Sequence, residues 1–212
     1  MTIARSLTTA LLLAAAAPLA AQDVQPPAGW RVATDHGAPG DSLWFVEMPP
    51  GWHVTTGPGA ALYDPAVTAA GAFTVETEAF RFAGETADGH GLFFGGRGLD
   101  GDAPDYFAFL IDRDGRYRLY HRAGDDIHEI VPWTAHPAIA AGSADPAADN
   151  AKNVQTATVT ADSVAFAVNG ERVDAFARPP YFDTSGQVGL RVEPGVDVHY
   201  VRLDVTPLAG EK

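Results

Sequence analysis

The chain is predicted to be all-β, built as a sandwich or barrel of short strands. Three observations carry this. Two hairpins are legible from their turn chemistry, turn residues recur every 8–15 residues, and no helical period persists beyond the N-terminal stretch. The first hairpin begins with Tyr106-Phe107-Ala108-Phe109-Leu110-Ile111, dense in β-formers. Asp112-Arg113-Asp114-Gly115 supplies a tight turn, with glycine placed for a positive φ. Arg116-Tyr117-Arg118-Leu119-Tyr120 then returns in alternation. The second hairpin, 163–177, turns at Asn169-Gly170, a pair suited to the mirror-image turn that matches strand twist.

Taken from the start, Arg5 provides a positive n-region and Leu7 to Ala17 an apolar h-region. Pro18-Leu19-Ala20-Ala21 ends in the small residues a signal peptidase accepts. The apolar run falls short of the roughly 20 residues that cross a bilayer. Residues 1–21 are therefore expected to be a secretory signal, the alternative being a buried N-terminal helix. Gln22 follows, and the chain has no cysteine, so neither a lipid anchor at that point nor a disulfide is expected. The mature protein is expected to be periplasmic or extracellular. Residues 22–212 are expected to form a single β-sandwich domain, with 22–58 available as an added layer of N-terminal strands.

Strands are predicted near 30–33, 43–47, 52–55, 60–63, 72–82, 91–95, 106–111, 116–122 and 127–131. Later ones are predicted near 154–160, 163–168, 172–176, 187–192 and 196–205. Period-2 alternation sends Val164, Phe166 and Val168 to one face. It does the same for Val188, Leu190 and Val192, and for Val201, Leu203 and Val205, which form the candidate core. Residues 135–151 lack alternation and are rich in Ala, Pro, Gly, Ser and Asp, so they form a long surface connection. Arg118, Tyr120 and Arg122 share one face of their strand, opposite Tyr117, Leu119 and His121.

Acidic residues number 27 against 14 basic ones, a formal net charge of −13. That balance opposes binding to nucleic acid or anionic lipid. It suits neutral glycans, cations or basic partners, and equally a charge that only keeps an exported protein soluble. No second apolar span follows, so no membrane insertion is expected.

Several motifs come in a familiar order. These are His90-Gly91-Leu92-Phe93-Phe94-Gly95-Gly96, the 106–111 strand with Asp114-Gly115-Arg116-Tyr117, the hairpin Phe166-Ala167-Val168-Asn169-Gly170-Glu171, and Gly186-Gln187-Val188-Gly189-Leu190-Arg191-Val192. Over residues 60–206 the chain resembles the concanavalin A-like lectin/glucanase superfamily. Within it, the chain looks closest to bacterial secreted 3-keto-disaccharide hydrolase-like and laminin-G-like domains. The resemblance implies an antiparallel two-sheet jelly-roll β-sandwich with glycans often bound on a concave face. The superfamily hosts lectins, glycosidases and adhesion modules, so the fold leaves function open.

Candidate chemistry is sparse. Glycoside hydrolysis needs two carboxylates about 5–9.5 Å apart. Glu76 and Glu78 share a strand face at about 7 Å. They are the catalytic candidates if the chain is a hydrolase, although the glycoside hydrolase family 16 pattern has a third acid that this run lacks. The other reading is a solvated acidic face. Gly40-Asp41-Ser42-Leu43 with Asp125 and His128 has serine-hydrolase spacing, but that family needs an α/β fold with alternating helices. Asp100, Asp102 and Asp105 lie in a glycine-containing loop that resembles the start of a calcium site, so a structural Ca²⁺ or a solvated loop is expected. No other cofactor is expected, and the scattered histidines lack zinc-ligand spacing. Trp133 is a candidate for stacking on sugar, with His136 or Arg97 bonding hydroxyls, or else a plug at the sandwich edge. Arg118 and Tyr120 join these ligand candidates if their strand face is the concave one. The first functional expectation is a secreted glycan-binding module. A glycan-processing hydrolase and a protein-interaction domain are the alternatives.

Overall fold

A computed structural model of the protein describes residues 26–35 and 43–209. The expected signal, residues 1–21, and the Gly40-Asp41-Ser42 run lie outside the described residues. Fourteen strands appear in order: β1 (Arg31–Thr34), β2 (Trp44–Glu47), β3 (Trp52–Thr55), β4 (Ala60–Ala69), β5 (Phe73–Arg81), β6 (His90–Arg97) and β7 (Asp105–Ile111) come first. β8 (Arg116–Ala123), β9 (Asp126–Ala135), β10 (Ala151–Val159), β11 (Ser163–Val168), β12 (Glu171–Ala177), β13 (Gly186–Val192) and β14 (Asp197–Pro207) follow. Each predicted strand is present. No helix is found among the described residues, so none there is long and apolar enough to cross a membrane.

The strands form two seven-stranded sheets, ordered β1-β4-β13-β6-β7-β8-β9 and β12-β11-β10-β5-β14-β3-β2. Every pairing is antiparallel. The fold is an antiparallel two-sheet jelly-roll β-sandwich. Two strands run further than the sequence suggests, each through a proline. β4 continues through Pro65, where the β13 ladder jumps from Gly189↔Tyr63 to Gln187↔Thr68 and leaves its amide position unpaired. β9 continues through Pro132 because it is an edge strand, where a missing N–H costs no ladder bond.

The turns behave as their residues require. Asn169 and Gly170 both take positive φ, 52° and 82°, which the mirror-image hairpin turn demands. In the 112–115 turn, Asp112 Oδ1 accepts the Asp114 and Arg116 amides at 3.0 and 2.9 Å while Gly115 sits at φ 77°.

Between the sheets, Phe94, Phe109, Phe166, Val164, Val168 and Val188 fill one half of the core. Leu62, Leu190, Val192, Val198 and Tyr200 fill the other. Each such aromatic or aliphatic side chain contributes about 1.5–3 kcal/mol on burial. The alternation expected at Val201, Leu203 and Val205 is corrected by a register shift between Tyr200 and Arg202. Val198 and Tyr200 point inward before it and Leu203 and Val205 after it, so Val201 falls in the irregularity and stays half-buried.

The first sheet is also covered on its outer face. Ala61, Tyr63, Phe93, Leu99, Tyr106, Ala108, Leu110 and Tyr120 form a third buried cluster there, with Ala33 and Trp133 against it. That second layer positions the polar groups described next.

Candidate functional site

Strand alternation places Tyr106 and Leu110 of β7, Arg118, Tyr120 and Arg122 of β8, and Arg191 of β13 on the outer face of the first sheet. Leu119 and Phe109 face the core. β1 runs along the edge beside β4 and ends by turning Asp35 onto this face. Asp35 accepts from two strands at once. Its Oδ2 takes Arg191 Nη2 at 2.6 Å, and its Oδ1 takes Arg122 Nη1. Arg191 Nε donates to the Tyr120 hydroxyl at 2.9 Å, and Arg122 Nε to the Gly124 carbonyl at 2.8 Å. Burial alone would push the Asp35 carboxyl up. The Arg191 and Arg122 guanidiniums outweigh it and hold the group below the usual carboxylate range. Burial raises the Tyr120 phenol far above its ordinary value, so it stays protonated.

Above this network lies a cavity of about 670 Å³. Asp35, Arg122, Tyr106, Asp100, Asp102 and Asp125 supply its polar wall, and Ala33, Ala61, Leu99 and Pro104 its apolar one. Tyr106 is 1% exposed, and its hydroxyl is set against the Arg122 guanidinium and closed off from solvent. Asp100 accepts from the Tyr63 hydroxyl and pairs with Arg31. Burial, and next the Asp100 carboxylate, raise the Tyr63 phenol. A forked donor and carboxylate acceptors beside apolar patches suit a ligand that carries both hydroxyls and C–H surface.

A second polar group lies further along the same face. Arg118 forms a fork with Glu129, at 2.9 Å for both bonds, and reaches Glu193 at 3.1 Å. The hydrogen bonds to Glu129 lead in raising its pKa. The guanidinium stacks over Tyr120 at 5.0 Å and Trp133 at 5.9 Å, and Arg116 also covers Trp133 at 5.6 Å.

The structure thus brings Arg118, Tyr120 and Trp133 together and disperses the other ligand candidates. Arg97 bridges Asp105 at 2.9 Å and Asp183 at 2.6 Å at the far end of β6. His136 sits past the end of β9, its Nδ1 accepting the Ala138 amide at 3.2 Å and its ring edge-on to Tyr117. Glu76 and Glu78 face outward from β5, on the sheet opposite the cavity. Arg202 holds Glu76 at 2.5 Å and Lys152 holds Glu78 at 2.6 Å. Of the three loop acids, Asp100 and Asp105 are engaged by Arg31 and Arg97, and Asp102 stands on the cavity wall. Among the described residues no three acidic or histidine side chains converge as metal ligands. Asp125 lines the cavity, and His128 stacks on His121 at 5.8 Å. Asp35, Tyr106 and Arg122, which line the cavity, and Arg191, which holds Asp35, are not among the sequence candidates.

The sequence matches no protein-family model and no curated protein. Solved structures share its fold. The carbohydrate-binding module CBM66 from Bacillus subtilis superposes with a TM-score of 0.60 at 13% identity, covering 84% of this chain and 95% of that one. A Bacillus subtilis protein of unknown function with a galectin-like fold gives 0.57 at 14% identity, covering 84% and 89%. The carbohydrate recognition domain of Emp46p gives 0.53 at 10% identity, covering 84% and 88%. At these identities the likeness shows the fold alone, a jelly-roll sandwich, which is the coarse level of the resemblance drawn from the sequence motifs.

Proposed function

We propose that the protein is an exported glycan-binding domain whose ligand occupies the outer face of the first sheet, over Asp35, Arg122 and Tyr106. The observation that carries this reading is the cavity of about 670 Å³ on that face, where Asp35, Asp100, Asp102, Asp125 and Arg122 stand beside Ala33, Ala61 and Leu99. The neighbouring folds include a carbohydrate-binding module and a carbohydrate recognition domain, which supports the same class of ligand. Glu76 and Glu78 are each held by a cation on the opposite sheet, an arrangement that favours binding over hydrolysis. Export rests on the N-terminal leader and is checked by N-terminal sequencing of the secreted form.

A glycan array probed with the chain from Gln22 onward tests the reading. Binding to a defined glycan class is expected, and Asp102→Ala with Asp125→Ala, two exposed side chains on the cavity wall, should weaken it about tenfold at unchanged melting temperature. Silence across the array would refute it.

A further inference from the structure

Among the described residues, Arg122 is the one cation that lines the cavity. A guanidinium fork on a binding wall is the natural receptor for a ligand carboxylate or sulfate, because its parallel N–H groups match paired oxygens. Here the chain supplies a carboxylate of its own. Asp35 comes from 87 positions away, at the end of edge strand β1, and its Oδ1 accepts from Arg122 Nη1. Its Oδ2 accepts from Arg191 Nη2 at 2.6 Å. Arg191 stands behind Asp35, off the cavity wall. The Asp35, Arg122 and Arg191 side chains are 16%, 9% and 5% exposed, so water and salt screen their charges little. The Nε of Arg122 is also taken, by the Gly124 carbonyl at 2.8 Å. An anion entering the cavity therefore meets a guanidinium that is already engaged.

We propose that Asp35 is the specificity-determining residue of this cavity: it fills the carboxylate position on Arg122, so that uncharged sugars are accepted and uronate or sulfated sugars are rejected. This rests on the glycan-binding reading and narrows it to neutral glycans. A uronate gains the Arg122 fork only by displacing Asp35. That exchange strips Arg191 of its carboxylate partner in a site where it is 4% exposed, which makes it unfavourable. A sugar hydroxyl needs no displacement, because each carboxylate oxygen accepts more than one hydrogen bond. Discrimination thus comes from a repulsive element built into the wall, with no added attraction for the preferred ligand.

An array carrying neutral, uronate-bearing and sulfated glycans tests this, probed at neutral pH with the chain from Gln22 onward and its variants, each shown to be folded by a thermal melt. The parent chain is expected on neutral glycans. Asp35→Asn keeps the side-chain shape and frees both guanidiniums, so it should raise the ratio of acidic to neutral glycan binding about tenfold or more. Asp35→Asn with Arg191→Met removes the buried pair together and leaves Arg122 unopposed by Asp35. It stands in where the single variant does not fold, and should move the ratio the same way. Asp162→Asn, an equal charge change at an exposed residue that does not line the cavity, should leave the ratio unaltered. A parent chain that prefers acidic glycans would overturn the proposal and leave the glycan reading standing. So would an unaltered ratio in the Asp35 variants, an equal loss of both classes, or an equal shift in Asp162→Asn, the last assigning the preference to overall charge. A parent chain silent on the whole array would remove both.

Discussion

The carboxylate of Asp35 meets the guanidinium of Arg191 at 2.6 Å, although the two residues are 156 positions apart. The contact joins the end of an edge strand to the middle of the first sheet. Arg191 is 4% exposed, so its charge has little water to fall back on. Removing one member of such a pair costs about 3–5 kcal/mol, because the other is left buried and uncompensated. Asp35→Ala should show that loss in urea denaturation. Asp35 titrates below its unfolded value, so its contribution is complete above about pH 4 and fades as pH falls through the folded value. A variant as stable as the parent at pH 7 would show that Arg191 finds other partners.

His90 makes the fold acid-sensitive. It is fully buried in the core, edge-on to Tyr200, and neither ring nitrogen has a hydrogen-bond partner. Burial, and next the nearby Arg81 charge, push its pKa down from 6.5 to about 3. Between those values the unfolded chain holds a proton that the folded chain does not. Stability is therefore complete above pH 6.5 and declines by about 1.4 kcal/mol per pH unit below it, until the folded form protonates. His90→Leu should flatten the profile between pH 6.5 and pH 4. Parallel profiles for the two proteins would show that His90 does not supply the slope.

Much of the fold is legible because period-2 alternation and turn chemistry are local. Asn169-Gly170 and Asp112–Gly115 announce their hairpins without help from the rest of the chain. Alternation in β8 also separates Arg118, Tyr120 and Arg122 from Tyr117 and Leu119, but it does not announce that Trp133 from β9 lies against Arg118. The cavity floor is harder to see. Arg191 lies between Leu190 and Val192, and alternation says only that it faces away from the core. Whether that side is wet or packed depends on neighbours from β1, β4, β7 and β8. One signal is present. Leu92-Phe93-Phe94 and Tyr106–Ile111 are continuous apolar runs, and β6 and β7 are buried on both faces. Such runs mark a sheet whose outer side is also covered, so arginines within it need a partner. Asp35 carries no such mark, since its role follows from where β1 ends.

Glu76 and Glu78 offer a test of which face works. Both are partly exposed and shared with Arg202 and Lys152 on the second sheet. Pairs of that kind contribute about 0–1 kcal/mol. Glu76→Gln with Glu78→Gln should therefore shift stability by no more than about 1–2 kcal/mol and leave glycan affinity unaltered. Loss of binding in this variant at unchanged melting temperature would move the ligand to the second sheet.

Arg118 should govern the environment of Trp133. Its guanidinium is clamped by Glu129 and Glu193 and lies between the Tyr120 and Trp133 rings. Cation–π contact at a partly exposed site contributes about 0.5–1 kcal/mol, and charged hydrogen bonds add about 1.5–3 kcal/mol before solvent screening. Arg118→Ala is expected to cost about 1–3 kcal/mol, with the loss weighted toward the fork to Glu129. Arg118→Lys should recover only part of it, since an ammonium cannot reproduce the planar fork. Fluorescence isolates the effect. In a background where Trp30, Trp44 and Trp52 are replaced by phenylalanine, Trp133 is the only indole left. Arg118→Ala should then raise its accessibility to acrylamide and red-shift its emission. An unaltered spectrum would mean that Arg116, the other guanidinium over the ring at 5.6 Å, covers it alone.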